Sequence, residues 1–134
     1  MKFASARIIT ADMKRLVQFY EQVTGHALTQ YTEDFAELQL PTATLAIGST
    51  RTLPLFGGAE VATAAHNRSV ILEFRVEDVD ADYRRLAAVL GSAVVQAPTT
   101  MPWGNRSLLL RDPDGNLVNF FTPVTAEARQ KFNK

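Results

Sequence analysis

The chain has 134 residues, 46% hydrophobic and 21% charged, with fourteen basic side chains against fourteen acidic ones. That is the balance of an ordinary globular protein, and one domain spanning 1–134 is expected. The absence of cysteine excludes disulfides, thiolate catalysis and cysteine-held zinc; with no basic tract, no leader-like run and no stretch of ~20 apolar residues, a cytoplasmic protein without nucleic-acid or membrane partners is expected.

In chain order, Ala6–Thr10 reads as a strand. Asp12 then stands where a carboxylate can accept the free N–H groups of a helix's first turn. Met13, Leu16, Val17, Tyr20 and Val23 follow helical spacing and form one apolar stripe. Gly25 falls where a left-handed residue ends such a helix. Three strand-like runs follow: His26–Tyr31, Phe35–Leu40 and Ala43–Gly48. The segment Arg51–Arg68, with Pro54, Gly57, Gly58 and the run VATAA, reads as a linker. Its Leu53, Leu55 and Phe56 are too apolar for a simple tether and suggest a flap.

The pattern then repeats. Ser5–Gly25, shifted by 66 residues, falls on Ile71–Gly91: Asp12 meets Asp78, Val23 meets Val89 and Gly25 meets Gly91. Leu72–Val76 is the matching strand. Val79, Tyr83, Leu86, Ala87 and Leu90 are the matching stripe, with Asp80 competing with Asp78 for the cap. Strands Ala93–Ala97, Ser107–Arg111 and Leu117–Thr122 complete the second half. The last two are joined by RDPDGN, Arg111–Asn116, where proline and glycine set a tight hairpin and the aspartates serve the backbone. The tail after Pro123 is polar and either forms a short helix or frays.

Each half is therefore β-α-β-β-β, and the fold class is α+β. Module one covers 1–50, the linker 51–68, module two 69–124 and the tail 125–134. One helix covers one face of each sheet; the other face is expected to contribute to a curved mixed sheet with a central cup.

The doubled pattern, QFYEQVTG (Gln18–Gly25) and above all PWGNRSLLLRDPDGNLVNFF (Pro102–Phe121) resemble the vicinal oxygen chelate superfamily of glyoxalase I, bleomycin-resistance proteins, fosfomycin-resistance enzymes and extradiol dioxygenases. The resemblance covers nearly the whole chain. It implies the fold and the cup, and a homodimer; it does not imply one reaction. In the family's enzymes a divalent metal is held by His or Gln from the first strands and Glu from the last, and acts as a Lewis acid. Counted from Asp12, Asp78 and the DPDG turn, those positions are Ser5, Ile71 and Asn119 here, with Ala46 the fourth. None is a normal metal donor, so no cofactor is expected. His26 at a helix end and His66 in the linker do not supply replacements.

Strand alternation places Ser5, Arg7 and Ile9, with Ile71, Glu73 and Arg75 and with Leu117, Asn119 and Phe121, on the cup face. Arg7, Glu73 and Arg75 form either a structural salt-bridge network or a set of groups that orient a polar ligand. Trp103, the only tryptophan, is either a loop anchor or a flat wall against a planar ligand, and Phe56 adds a second wall. Tyr31, Phe35 and Glu37 join them if their strands face inward. GNRSL lacks the turn of a nucleophilic serine. The reading is a metal-free small-molecule-binding protein, of the kind that confers antibiotic resistance by sequestering an aromatic or amphipathic compound. The alternatives are an enzyme with a non-standard site, either a metal-independent lyase or isomerase using Glu73 or Glu37 as base or a dioxygenase-like metal enzyme with displaced ligands, and a degenerate module acting as a subunit or sensor.

Overall fold

A computed structural model of the chain describes residues Met1–Asn133. Strand β1 (Ser5–Thr10) leads into helix α1 (Met13–Thr24) through Asp12, whose carboxylate accepts the Arg15 N–H at 3.1 Å. The Thr10 hydroxyl steadies the same corner by accepting the Asp12 N–H at 3.2 Å. Leu16, Val17, Phe19, Tyr20 and Val23 are the buried stripe of α1; Phe19 broadens the stripe read from the spacing. Gly25 ends the helix at φ 72°, in the left-handed region, and returns its N–H to the Glu21 carbonyl.

Three strands follow: β2 (Thr29–Thr32), β3 (Phe35–Gln39) and β4 (Thr44–Ser49). β2 begins three residues later than the spacing suggests. The backbone after α1 is occupied first by the turn at Thr24–Leu28, where Thr24 Oγ1 accepts the His26 N–H and Glu21 the Leu28 N–H. The sheet order is β1-β4-β3-β2, with β1 parallel to β4 and the other pairs antiparallel. Ile47, Leu45, Ala36 and Leu38 lie on one face with almost no exposure. This is the α1 side.

The second half repeats the plan in β5 (Ile71–Arg75), helix α2 (Val79–Leu90), β6 (Val94–Thr100), β7 (Asn105–Arg111) and β8 (Leu117–Pro123), with sheet order β5-β8-β7-β6. Asp78 caps α2 by accepting the Ala81 N–H at 3.0 Å. Asp80 is taken by Arg106 of β7, which reaches its two oxygens from Nε and Nη2 at 2.9 and 3.1 Å. The competition between the two aspartates is thus resolved by a partner the local sequence does not show. Gly91 has φ 51° and ψ −118°, so it is not the left-handed stop expected; the chain runs on into a 3-10 turn at Gly91–Ala93. Val118, Phe120, Leu108 and Leu110 face α2 and are fully or almost fully buried, with Phe74 edge-on to Phe120.

The RDPDGN hairpin is closed by Asp112, which is buried with Asn116: Oδ1 accepts the Asn116 N–H at 2.9 Å and Oδ2 its side-chain N–H at 2.8 Å. Asp114 also accepts from Arg15 Nη2 at 3.1 Å, a partner 99 residues away in sequence that the turn itself does not reveal. The linker opens with a 3-10 helix over Thr50–Phe56. The tail forms a short helix, α3 (Ala126–Phe132), capped by Thr125.

The chain divides into two compact units, Met1–Asn67 with Pro113–Gly115, and Arg68–Asp112 with the residues from Asn116 onward. Two four-stranded sheets, each with its own helix, make the α+β architecture of tandem modules. No helix of the described residues is long and apolar enough to cross a membrane.

Two substitutions probe this scheme. Asp78→Ala should lower the unfolding free energy by roughly 0.5–2 kcal/mol in urea titrations. Arg106 holds the Asp80 carboxyl below its ordinary range by hydrogen bonding, and desolvation opposes it only in part. The stability this pair contributes is present above the ordinary carboxylate pKa and disappears as pH falls through the depressed one. Asp80→Asn should therefore lower the melting temperature at neutral pH and flatten its fall on acidification.

Candidate functional site

A sheet backed by one helix shows its other face to something else. In the first unit that face carries Arg7, Ala46 and Glu37 in one cross-strand row, and Ile9, Gly48 and Phe35 in the next. Arg7 is exposed. Its guanidinium carbon lies 4.5 Å from the centre of the Phe35 ring and 5.1 Å from that of Phe56. Phe35 in turn stacks on Tyr31, with ring centres 5.5 Å apart and planes 20° apart. Phe56 arrives at the end of the 3-10 helix, so the flap expected from Leu53, Leu55 and Phe56 reaches this face through Phe56. Leu53 is buried, while Leu55 is 85% exposed.

The placement of both rings has a local cause. Asp34, just before Phe35, accepts the Ser49 hydroxyl and Arg51 Nε, each at 2.7 Å. Ser49 caps the 3-10 helix and Arg51 lies in its first turn. One carboxylate thus ties the β2–β3 turn to the segment that carries Phe56. The Ser49 hydroxyl and then the Arg51 guanidinium hold the Asp34 carboxyl below its usual range.

Across the same face Gln39 Nε2 donates to Tyr31 Oη at 3.1 Å and to Glu37 Oε1 at 3.2 Å. Loss of hydration, then the hydrogen bond and charge of Glu37, push the Tyr31 phenol above its ordinary value. Tyr31, Phe35 and Glu37, conditional in the sequence, do stand on the Arg7 face.

In the second unit the face away from α2 carries Glu73, Asn119 and Leu109 in one row and Arg75, Phe121 and Ser107 in the next. Asn119 Nδ2 donates to Glu73 Oε2 at 2.8 Å. Its carbonyl oxygen is buried and has no hydrogen-bond partner among the described residues. Arg75 gives its N–H groups to the Phe132 carbonyl at 2.8 Å and to Asn133 Oδ1 at 3.2 Å. Phe132 also packs on Phe121, ring centres 5.2 Å apart. The tail therefore covers one end of this face, which the sequence reading missed. The signal was present: Ala128 and Phe132 are four apart in an otherwise polar segment, the spacing of one helical face.

Trp103 sits in the turn between β6 and β7, 67% exposed. It borders an open groove of about 240 Å³ with Asn105, Glu127, Lys131 and Phe132. A second groove, about 440 Å³, runs past Arg75, Glu77, Thr122 and Arg129. His26 and His66 are both exposed.

The register also sets the counterparts of the repeat. Ala46 stands across from Arg7 as Asn119 stands across from Glu73. Ser5 pairs with Thr44 and Ile71 with Leu117. Asn119 turns its N–H toward Glu73, so the two side chains engage each other rather than converge on a common centre. Among the described residues no three His, Cys, Asp or Glu lie together as metal donors do. This donor set does not fit the Lewis-acid metal of the family's enzymes.

A family model described as Glyoxalase/Bleomycin resistance protein/Dioxygenase superfamily matches residues 2–120. The chain belongs to that superfamily. The fold has many solved counterparts at low identity. A glyoxalase/bleomycin resistance protein/dioxygenase from Nocardioides superposes with a TM-score of 0.75 at 21% identity, over 94% of this chain and 85% of that one. A family enzyme from Burkholderia phytofirmans PsJN gives 0.80 at 17% identity, over 92% and 100%. A glyoxalase-related enzyme from Fulvimarina pelagi gives 0.75 at 20%, over 95% and 94%. At these identities the likeness is one of fold. No curated protein sequence matches the chain.

The Tyr31–Glu37 contact has a measurable consequence. Glu37→Gln should let the phenol ionise at lower pH, seen as an earlier rise of phenolate absorbance relative to the parent protein. An unchanged titration would place the carboxylate away from the phenol.

Proposed function

We propose that this superfamily member binds a small aromatic or amphipathic molecule on the sheet faces turned away from its helices, without Lewis-acid chemistry. The observation that carries this reading is what occupies those faces. At the family's donor positions stand Ser5, Ile71, Ala46 and an Asn119 already bonded to Glu73. In the first unit the rings of Tyr31, Phe35 and Phe56 lie around Arg7. Aromatic faces and a few placed polar groups are what a small-molecule site needs. The proposed binding residues are Arg7, Phe56, Glu73, Arg75, Trp103, Asn119 and Phe121, and the proposed assembly is a homodimer. Sequestration of a toxic compound, as in antibiotic resistance, is the role this chemistry suits.

A second reading has its own support. Glu37 against Tyr31 is a carboxylate–phenol pair on the Arg7 face, and such a pair can move a proton in a lyase or isomerase. The Burkholderia and Fulvimarina counterparts are described as enzymes, and Glu73 is the other carboxylate on such a face.

One experiment separates the readings. The protein is purified without chelator, its metal content measured, and its melting followed with divalent ions and with a panel of aromatic compounds. Binding without turnover predicts no stoichiometric ion and a compound that raises the melting temperature and is recovered unchanged. A stabilising stoichiometric ion, or conversion of the compound, overturns it. Trp103→Ala should weaken the bound compound by roughly 0.5–2 kcal/mol, read by calorimetry; unchanged affinity leaves Trp103 as a loop anchor only.

A further inference from the structure

Among the described residues, Arg7 is the one arginine on these faces whose donors find no acceptor. Arg75 is bonded to the tail, whereas no carboxylate lies within 4.0 Å of the Arg7 guanidinium among the described residues, and no hydrogen bond leaves it there. Two aromatic rings hold it instead. Cation–π contact attracts the charge but accepts none of the five N–H groups, which lie in the guanidinium plane. Gly48 is part of the arrangement: a Cβ there would come within 3.5 Å of Arg7 Nη1 and 3.2 Å of Thr52 Oγ1. A Cβ at that distance from Nη1 makes only ordinary contact, so it takes a branched side chain such as valine to crowd the guanidinium over β4.

We infer that Arg7 is the receptor for a carboxylate, and that the small molecule proposed above is an aromatic monocarboxylic acid. The fork of N–H donors matches a planar carboxylate in two parallel hydrogen bonds. Phe56, 55% exposed as a residue, and Tyr31, 51% exposed with its ring stacked on Phe35, offer apolar surface next to it. Glu37 lies two strands from Arg7 in the same row. Its charge disfavours a second anionic group at that end, which selects one acid group rather than two. This inference rests on the binding reading and narrows it.

The test compares 1-naphthoate with its neutral isostere 1-naphthamide by calorimetry on the parent protein, Arg7→Gln and Gly48→Val. The expected result is a preference for the acid of about tenfold or more, the size of one charge-assisted contact. It should shrink with added salt. Arg7→Gln should abolish the preference while naphthamide still binds. Gly48→Val, which displaces the guanidinium without removing its charge, should reduce it. Circular dichroism and melting establish that each variant folds; Arg7→Lys, which keeps the charge and loses the fork, should retain only part of the preference. Equal binding of acid and amide by the parent, or a preference that survives Arg7→Gln, overturns the carboxylate receptor and leaves aromatic capture standing. Binding of neither compound at millimolar concentration counts against aromatic capture itself, and against the receptor with it.

Discussion

Each half of the chain supplies four strands and one long helix, and one helix can bury only one face of a sheet. Most features of the molecule follow from this shortage. Because side chains alternate along a strand, burying Ile8, Leu45 and Ile47 on the α1 side commits Arg7, Ala46 and Gly48 to the other. In the second half, burying Phe74, Val118 and Phe120 against α2 commits Glu73, Arg75, Asn119 and Phe121 in the same way. Charges on such a face must be accommodated locally, and the three are accommodated differently. Glu73 takes an amide N–H from Asn119. Arg75 is capped by the end of the tail. Arg7 is flanked by rings. Among the described residues none of the three forms an ion pair, so their charges are stabilised without being neutralised.

The two halves agree where the backbone makes demands and differ where it does not. Asp12 and Asp78 accept the same N–H at the same offset, 3.1 and 3.0 Å. A threonine hydroxyl backs each helix start, from Thr10 in the first half and from Thr122 on the neighbouring strand in the second. On the faces turned from the helices the counterparts part company: Arg7 against Glu73, Ala46 against Asn119. Arg7 and Glu73 are exposed, so the charge there can change sign at little cost to the fold, and such positions are where one scaffold acquires different ligands.

The fold was legible in the sequence because its determinants are local. Caps, apolar stripes and the DPDGN turn each act within a few residues, and a 66-residue self-match exposed the plan. The errors were also local in origin. Gly91 looks like Gly25, yet the 3-10 turn that follows it sets a different dihedral. The start of β2 was masked by side-chain bonds from Thr24 and Glu21 to the backbone. The faces were legible only in part. Alternation placed Arg7, Glu73 and Arg75 correctly relative to their helices. It could not show what each one touches, because those partners come from distant segments: Phe56 from the linker and Phe132 from the tail. Asp80 shows the same limit, since its claim on Arg106 joins residues 26 apart.

What remains on the first face is a cation that has already lost part of its freedom. A free arginine side chain carries about 2 kcal/mol of rotamer entropy, most of which a ligand must overcome to fix it in one geometry. Here Phe35 on one strand and Phe56 on the 3-10 helix restrict the guanidinium beforehand, and the Asp34 carboxylate bound to Ser49 and Arg51 restricts the two rings in turn. An incoming anion would therefore meet donors that are oriented but not saturated, the condition under which a single polar contact contributes most to affinity. A metal achieves orientation through its coordination sphere. On this face stacked rings and one guanidinium supply orientation, so the ligand proposed above would be selected by shape and charge rather than activated by a polarised bond.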